Sequence, residues 1–176
     1  MQAENDVRIS AKRVARAWIP ALVWLAVIAL ESTSLGSSAH TQNLLLTIFR
    51  FFNPQITSAQ LELANAVARK IGHCFGYAML SLLMLRAWWT TLMLPRWTPR
   101  LPPWKAMVTS WSGRAAVLAL ASTALVASLD EWHQLSIPGR TGAIHDVALD
   151  SMAAACVQLL VIAFSDVKRK QLVIGD

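Results

Sequence analysis

Four apolar runs, each long enough to cross a bilayer, leave this chain few folds to choose from. They occupy residues 18–35, 71–89, 115–134 and 146–164. A helix of about 18–20 residues rises about 30 Å, the thickness of a hydrocarbon core. The chain has 176 residues, 55% of them hydrophobic, which is more than an ordinary soluble domain carries. Buried helices of a soluble protein are the alternative, and four such runs in so short a chain argue against it. The expected fold is all-α: one domain over residues 1–176, built as an integral membrane bundle of four transmembrane helices.

The distribution of charge orients the bundle. The net charge of +6 does not point to nucleic acid, because the basic residues cluster at the ends of runs. Arg8, Lys12, Arg13 and Arg16 precede the first run. Arg86, Arg96, Arg100, Lys105 and Arg114 lie between the second and third, and Lys168, Arg169 and Lys170 follow the fourth. The other two connections hold only Arg50, Arg69, Lys70 and Arg140. This alternation is the positive-inside pattern. It places both termini in the cytoplasm. A rival reading takes the first run as a signal peptide cleaved near Ser37-Ser38-Ala39; retention of the first span is the expectation. Cys74 and Cys156 both sit in apolar runs, where thiols act as small hydrophobes.

Local signals mark the element ends. Pro20 suits the first turn of the first helix, and Glu31-Ser32-Thr33-Ser34 ends it. Residues 43–52 are apolar but too short to span, and read as an interfacial or re-entrant segment. Thr57 and Gln60 have capping-box spacing, so the second helix runs from about 58 to 89. Pro95, Pro99, Pro102 and Pro103, interleaved with Trp97, Trp104 and basic residues, form an irregular loop suited to lipid headgroups. Small residues over 115–128 and 151–155 allow close helix approach.

Against this background the polar residues fall at one depth, the outer end of each run. Lys70, His73 and Tyr77 share a helical face at i, i+3 and i+7. Asp130, His133 and Gln134 share a second face, beside Glu131, and Asp146 and Asp150 share a third. Arg140 follows the Pro138-Gly139 turn signal, and Glu31 ends the first run. Ionisable groups at membrane depth are costly and mark sites. The carboxylates outnumber the cations. The surplus resolves through a protonated carboxyl group, a protonated His73, His133 or His145, or a metal ion. No H-x-x-x-H or H-E-x-x-H spacing is present, so no metal or other cofactor is expected.

These residues resemble a known pattern. Lys70-x-x-His73-x-x-x-Tyr77, Asp130-Glu131-x-x-Gln134, Pro138-Gly139-Arg140 and Asp146 opening the last helix are similar to the VanZ-like membrane protein family. The likeness runs from the first span to the fourth. Two positions depart from the pattern: Asp150 stands where Asn is usual, and Ala153 where a Gly is expected. The resemblance implies a multi-pass protein of the bacterial inner membrane with a role in the cell envelope. The family takes its name from a member linked to low-level resistance to teicoplanin, and it settles no biochemical activity.

The expected function is recognition, with chemical modification as a further step, of a lipid or lipid-linked envelope headgroup at the outer leaflet. Lys70 and Arg140 would hold phosphate or carboxylate. Asp130, Glu131 or His133 would act as acid or base, Asp146 would orient a cation, and Gln134 and Tyr77 would donate hydrogen bonds. A non-catalytic binding or interaction protein and a small-solute pathway are the alternatives. The orientation is testable with a Ser136→Cys variant lacking both native cysteines. An impermeant maleimide added to intact cells should label it, and labelling from the cytoplasm alone would reverse the topology.

Overall fold

The computed structural model describes residues 2–33, 48–49, 51, 55–93, 110–137 and 142–174, with side chains described from residue 11 to residue 167. Four long helices carry the fold: α1 (Gln2–Ser32), α2 (Ser58–Met93), α3 (Gly113–Gln134) and α4 (Ile144–Ile174). No strand occurs among the described residues. The interfacial segment expected at 43–52 lies outside the described residues except at 48, 49 and 51, and the proline-rich loop at 94–104 lies outside them entirely.

Most helix ends follow the local chemistry. The Thr57 N–H donates to Gln60 Oε1 at 3.1 Å, and the Gln60 N–H returns to Thr57 Oγ1 at 3.3 Å. This is the reciprocal capping box read from the sequence. Ser112 caps α3 by accepting from the Ala115 N–H. The first helix differs from expectation. It starts far upstream, so Pro20 lies inside α1 rather than in its first turn. The ring removes one backbone donor there, and the helix continues through it.

α2 is the central element. It packs against all three other helices, whereas α1 touches α3 only slightly. Cross-links fix its direction. Trp18 Nε1 donates to Thr91 Oγ1 at 3.1 Å and Trp88 Nε1 to Ser122 Oγ at 3.1 Å. Toward the other end Trp24 Nε1 reaches the Gly76 carbonyl at 2.8 Å, and Tyr77 reaches Asp130. α1 and α3 therefore run antiparallel to α2. α4 runs parallel to it, since Lys70 meets Asp146, His73 meets Asp150 and Ser81 meets Gln158. Trp18 and Trp88 stack edge to face, centroids 5.1 Å apart, at the end of the bundle away from the polar cluster.

Small residues let the helices approach. On α3 the buried positions Ala115, Ala119, Thr123, Ala127 and Glu131 recur every four residues and form one ridge. On α4 the matching stripe is Asp150, Ala154 and Gln158. The outward faces are apolar: Val23 and Leu30 on α1, Val117 and Leu125 on α3, and Leu159 and Phe164 on α4 are exposed. Cys156 shares that outward face, so it is not buried, while Cys74 is half-buried. So much exposed apolar surface suits lipid rather than water.

Among the described residues, three helices are long and apolar enough to cross a membrane, over Ala11–Ser32, Gly113–Gln134 and Ile144–Val167. α2 has the length but not the apolarity. It carries Glu62, Arg69, Lys70, His73 and Arg86; Arg69, His73 and Arg86 are partly buried, and Glu62 and Lys70 are exposed. A larger residue on the α3 ridge should be resisted. Ala119→Leu should lower the unfolding midpoint in detergent, at a cost of roughly 1–3 kcal/mol. Val117→Leu, on the exposed face, should leave it unchanged. Equal midpoints would mean that the ridge does not pack.

Candidate functional site

The polar residues of α2, α3 and α4 converge on one cavity. Its volume is about 240 Å³, and Arg69, Lys70, His73, Glu131, Asp146 and Asp150 lie along its wall. The mouth is held by Lys70, whose Nζ donates to Asp146 Oδ1 at 2.7 Å. His145 Nε2 stands 3.5 Å from the same oxygen. Asp146 opens the first turn of α4, where the helix dipole favours a carboxylate. Asp150 lies one turn further along, about 6 Å deeper by helical rise.

The deeper groups are His73, Glu131 and Asp150. Glu131 is 5% exposed, and its Oε2 accepts the Ala143 N–H at 2.9 Å. That bond uses a backbone donor just ahead of α4 and ties the start of α4 to the end of α3. It requires Gly142. A side chain there would collide with the Glu131 carbonyl and approach Leu135 Cγ to 2.9 Å. Asp150 is 1% exposed, and among the described residues no hydrogen-bond donor reaches either of its oxygens. His73 Nδ1 stands 3.5 Å from its Oδ2.

Asp130 is adjacent to Glu131 in sequence but faces elsewhere. Successive helical residues diverge by about 100°, so Glu131 turns toward α4 and Asp130 toward α1 and α2. There Tyr77 Oη donates to Asp130 Oδ2 at 2.9 Å, and Gln134 Nε2 donates to the same oxygen at 3.2 Å. Ile28, Glu31 and Ser32 of α1 close a second, small pocket around Tyr77 and Asp130. His73 lines both pockets and stands between them.

Of the residues singled out in the sequence, Lys70, His73, Glu131, Asp146 and Asp150 line the main cavity. Tyr77, Asp130 and Gln134 form the adjoining network. His133 does not join either group: it is exposed on α3. Arg140, with Pro138 and Gly139, lies outside the described residues. Sequence reasoning passed over two participants. Arg69 lines the cavity, and its i, i+4 relation to His73 was the available signal. Gly142 carried no pattern that marked it. A third polar feature lies deeper. Gln158 Nε2 donates to Ser81 Oγ at 2.9 Å and to the Ser81 carbonyl at 3.2 Å, so the inner half of the bundle is not purely apolar.

Two donors on one carboxylate oxygen make a sharp test. Tyr77→Phe and Gln134→Leu should each lower stability by roughly 1–3 kcal/mol. Together they strip Asp130 Oδ2 of both donors, so the double variant should lose more than the sum. A thermal double-mutant cycle in detergent measures this, and strict additivity would deny the shared acceptor.

No curated protein and no solved structure matches the chain. A family model does, that of VanZ/LLP1, over residues 17–165. The match runs from the first apolar stretch through most of α4 and takes in every residue of both pockets: the chain belongs to the VanZ/LLP1 family.

Proposed function

We propose that this protein recognises a phosphate-bearing headgroup of a membrane lipid or lipid-linked envelope precursor, at the extracytoplasmic face of a bacterial inner membrane. The single observation that carries this reading is the polar cavity itself. It opens between three helices whose outer faces are apolar, at the end of the bundle away from the tryptophan cluster. Arg69 and Lys70 are its cations. Lys70 spends one of its three N–H donors on Asp146 and keeps two for a ligand. His73 and Glu131 are the groups that would move protons if the headgroup were chemically altered.

The same reading makes α2 the fourth span. At 36 residues it is about 54 Å long. Leu63, Val67, Ile71 and Phe75 form an exposed apolar stripe at four-residue spacing, which suits lipid. Its polar stripe faces α3 and α4. The basic residues beside the tryptophan-rich end put that end in the cytoplasm. The family's link to teicoplanin resistance fits a protein that acts on envelope lipids, and it belongs to this proposal.

A structural reading competes. Lys70 with Asp146, and Asp130 with Tyr77 and Gln134, are satisfied within the chain and could serve only to fix helix register. The open cavity and the donor-free Asp150 carboxylate argue against it, because a purely structural cluster would be expected to close on itself.

Native mass spectrometry of protein extracted in mild detergent distinguishes the two. The wild type should retain a phosphate-bearing lipid. The Arg69→Gln, Lys70→Gln double variant should bind it about tenfold more weakly or worse, as loss of charged hydrogen bonds implies. Val117→Leu should behave as the wild type. Equal retention by the double variant and the wild type sinks the proposal.

A further inference from the structure

Three helices each send one potential ligand to the inner wall of the cavity. They are His73 from α2, Glu131 from α3 and Asp150 from α4. One ligand atom of each lies within 4.8 Å of the other two. One pair, His73 Nδ1 and Asp150 Oδ2, is 3.5 Å apart. Two ligands of a tetrahedral ion stand about 3.4 Å apart when each bond is about 2.1 Å. The pair therefore already has the span that an ion would impose, and Glu131, within 4.8 Å of both, would close in to complete a triangle.

Asp150 supplies the independent reason to look for a ligand. It is 1% exposed, lines the cavity, and among the described residues has no hydrogen-bond donor at either oxygen. An ionised carboxylate in that state is strongly destabilising unless something positive meets it. The neighbouring carboxylates have donors: Asp146 has Lys70, and Asp130 has Tyr77 and Gln134. Glu131 is held through one oxygen by the Ala143 N–H, as an outer partner orients a ligating carboxylate.

We propose that His73, Glu131 and Asp150 bind one divalent transition-metal ion of the zinc or manganese class. One imidazole and two carboxylates suit such ions better than magnesium or calcium, which favour all-oxygen shells. Three protein ligands leave at least one position open toward the cavity, the arrangement of a catalytic rather than a structural metal. The site carries no sequence motif because its ligands come from three separate helices. It does not depend on the headgroup reading, since ion uptake is measured with no lipid ligand present.

The full chain, purified in detergent and stripped with a chelator, is titrated calorimetrically with Zn²⁺, Mn²⁺ and Mg²⁺. The wild type should take up one Zn²⁺ or Mn²⁺ per chain in preference to Mg²⁺, and the ion should raise its unfolding midpoint. Asp150→Asn and His73→Gln should each weaken uptake by about tenfold or more, and Val117→Leu, on the exposed face of α3, should not. If Asp150→Asn does not purify as a single species, His73→Gln and Glu131→Gln carry the test. Wild-type protein that takes up neither Zn²⁺ nor Mn²⁺ overturns the proposal. So does wild-type affinity in Asp150→Asn, or in both of the other variants.

Discussion

Ionisable groups in a greasy bundle must be enclosed by protein, and that constraint orders everything else in this structure. Hydrocarbon offers them no partners. Lys70, His73, Glu131, Asp146 and Asp150 can persist only where several helices turn their polar faces toward one another. α2 meets this need by sitting among the other three. It is the least lipid-like helix for the same reason: Arg69, His73 and Arg86, which lower its apolarity, are partly covered by its neighbours, while Glu62 and Lys70 stay exposed.

Close approach is the second requirement, and small side chains provide it. The α3 ridge of Ala115, Ala119, Thr123 and Ala127 ends in Glu131 at the same four-residue spacing. The α4 stripe starts with Asp150 and continues through Ala154 and Gln158. Packing and site are thus one pattern. The stripe that lets two backbones come together also aims the carboxylate at its end into the gap they leave.

Much of this was legible in the sequence because it follows from periodicity. Four runs gave the helices and their order, Thr57 and Gln60 gave the start of α2, and the i, i+4 step placed Asp150 beneath Asp146. What escaped depends on tertiary geometry. Sharing a face in a helical projection put His133 with Asp130 and Gln134, yet α3 is covered on only part of its circumference, and His133 falls on the open part. Asp130 and Glu131 read as one acidic pair, but the 100° step sends them to different pockets. Gly142 has no sequence signature, since its need arises from how near the loop before α4 comes to the Glu131 carbonyl. Pro20 read as a helix start, but the helix begins well before it and passes through.

Charge balance links the two proposals. The main cavity presents Glu131, Asp146 and Asp150 against the permanent cations Arg69 and Lys70, so with neutral histidines it is negative. A negative cavity repels a phosphate, and at membrane depth little water is available to screen that repulsion. A divalent ion among His73, Glu131 and Asp150 reverses the sign and leaves Arg69 and Lys70 in excess. It would also give Asp150, which faces His73 at 3.5 Å, a permanent counter-charge. The residues that make the cavity unsuited to an anion when bare are the ones that would hold the ion making it suitable. Metal and headgroup binding at this site should therefore reinforce each other, because by linkage whatever one ligand gains from the other is returned in equal measure.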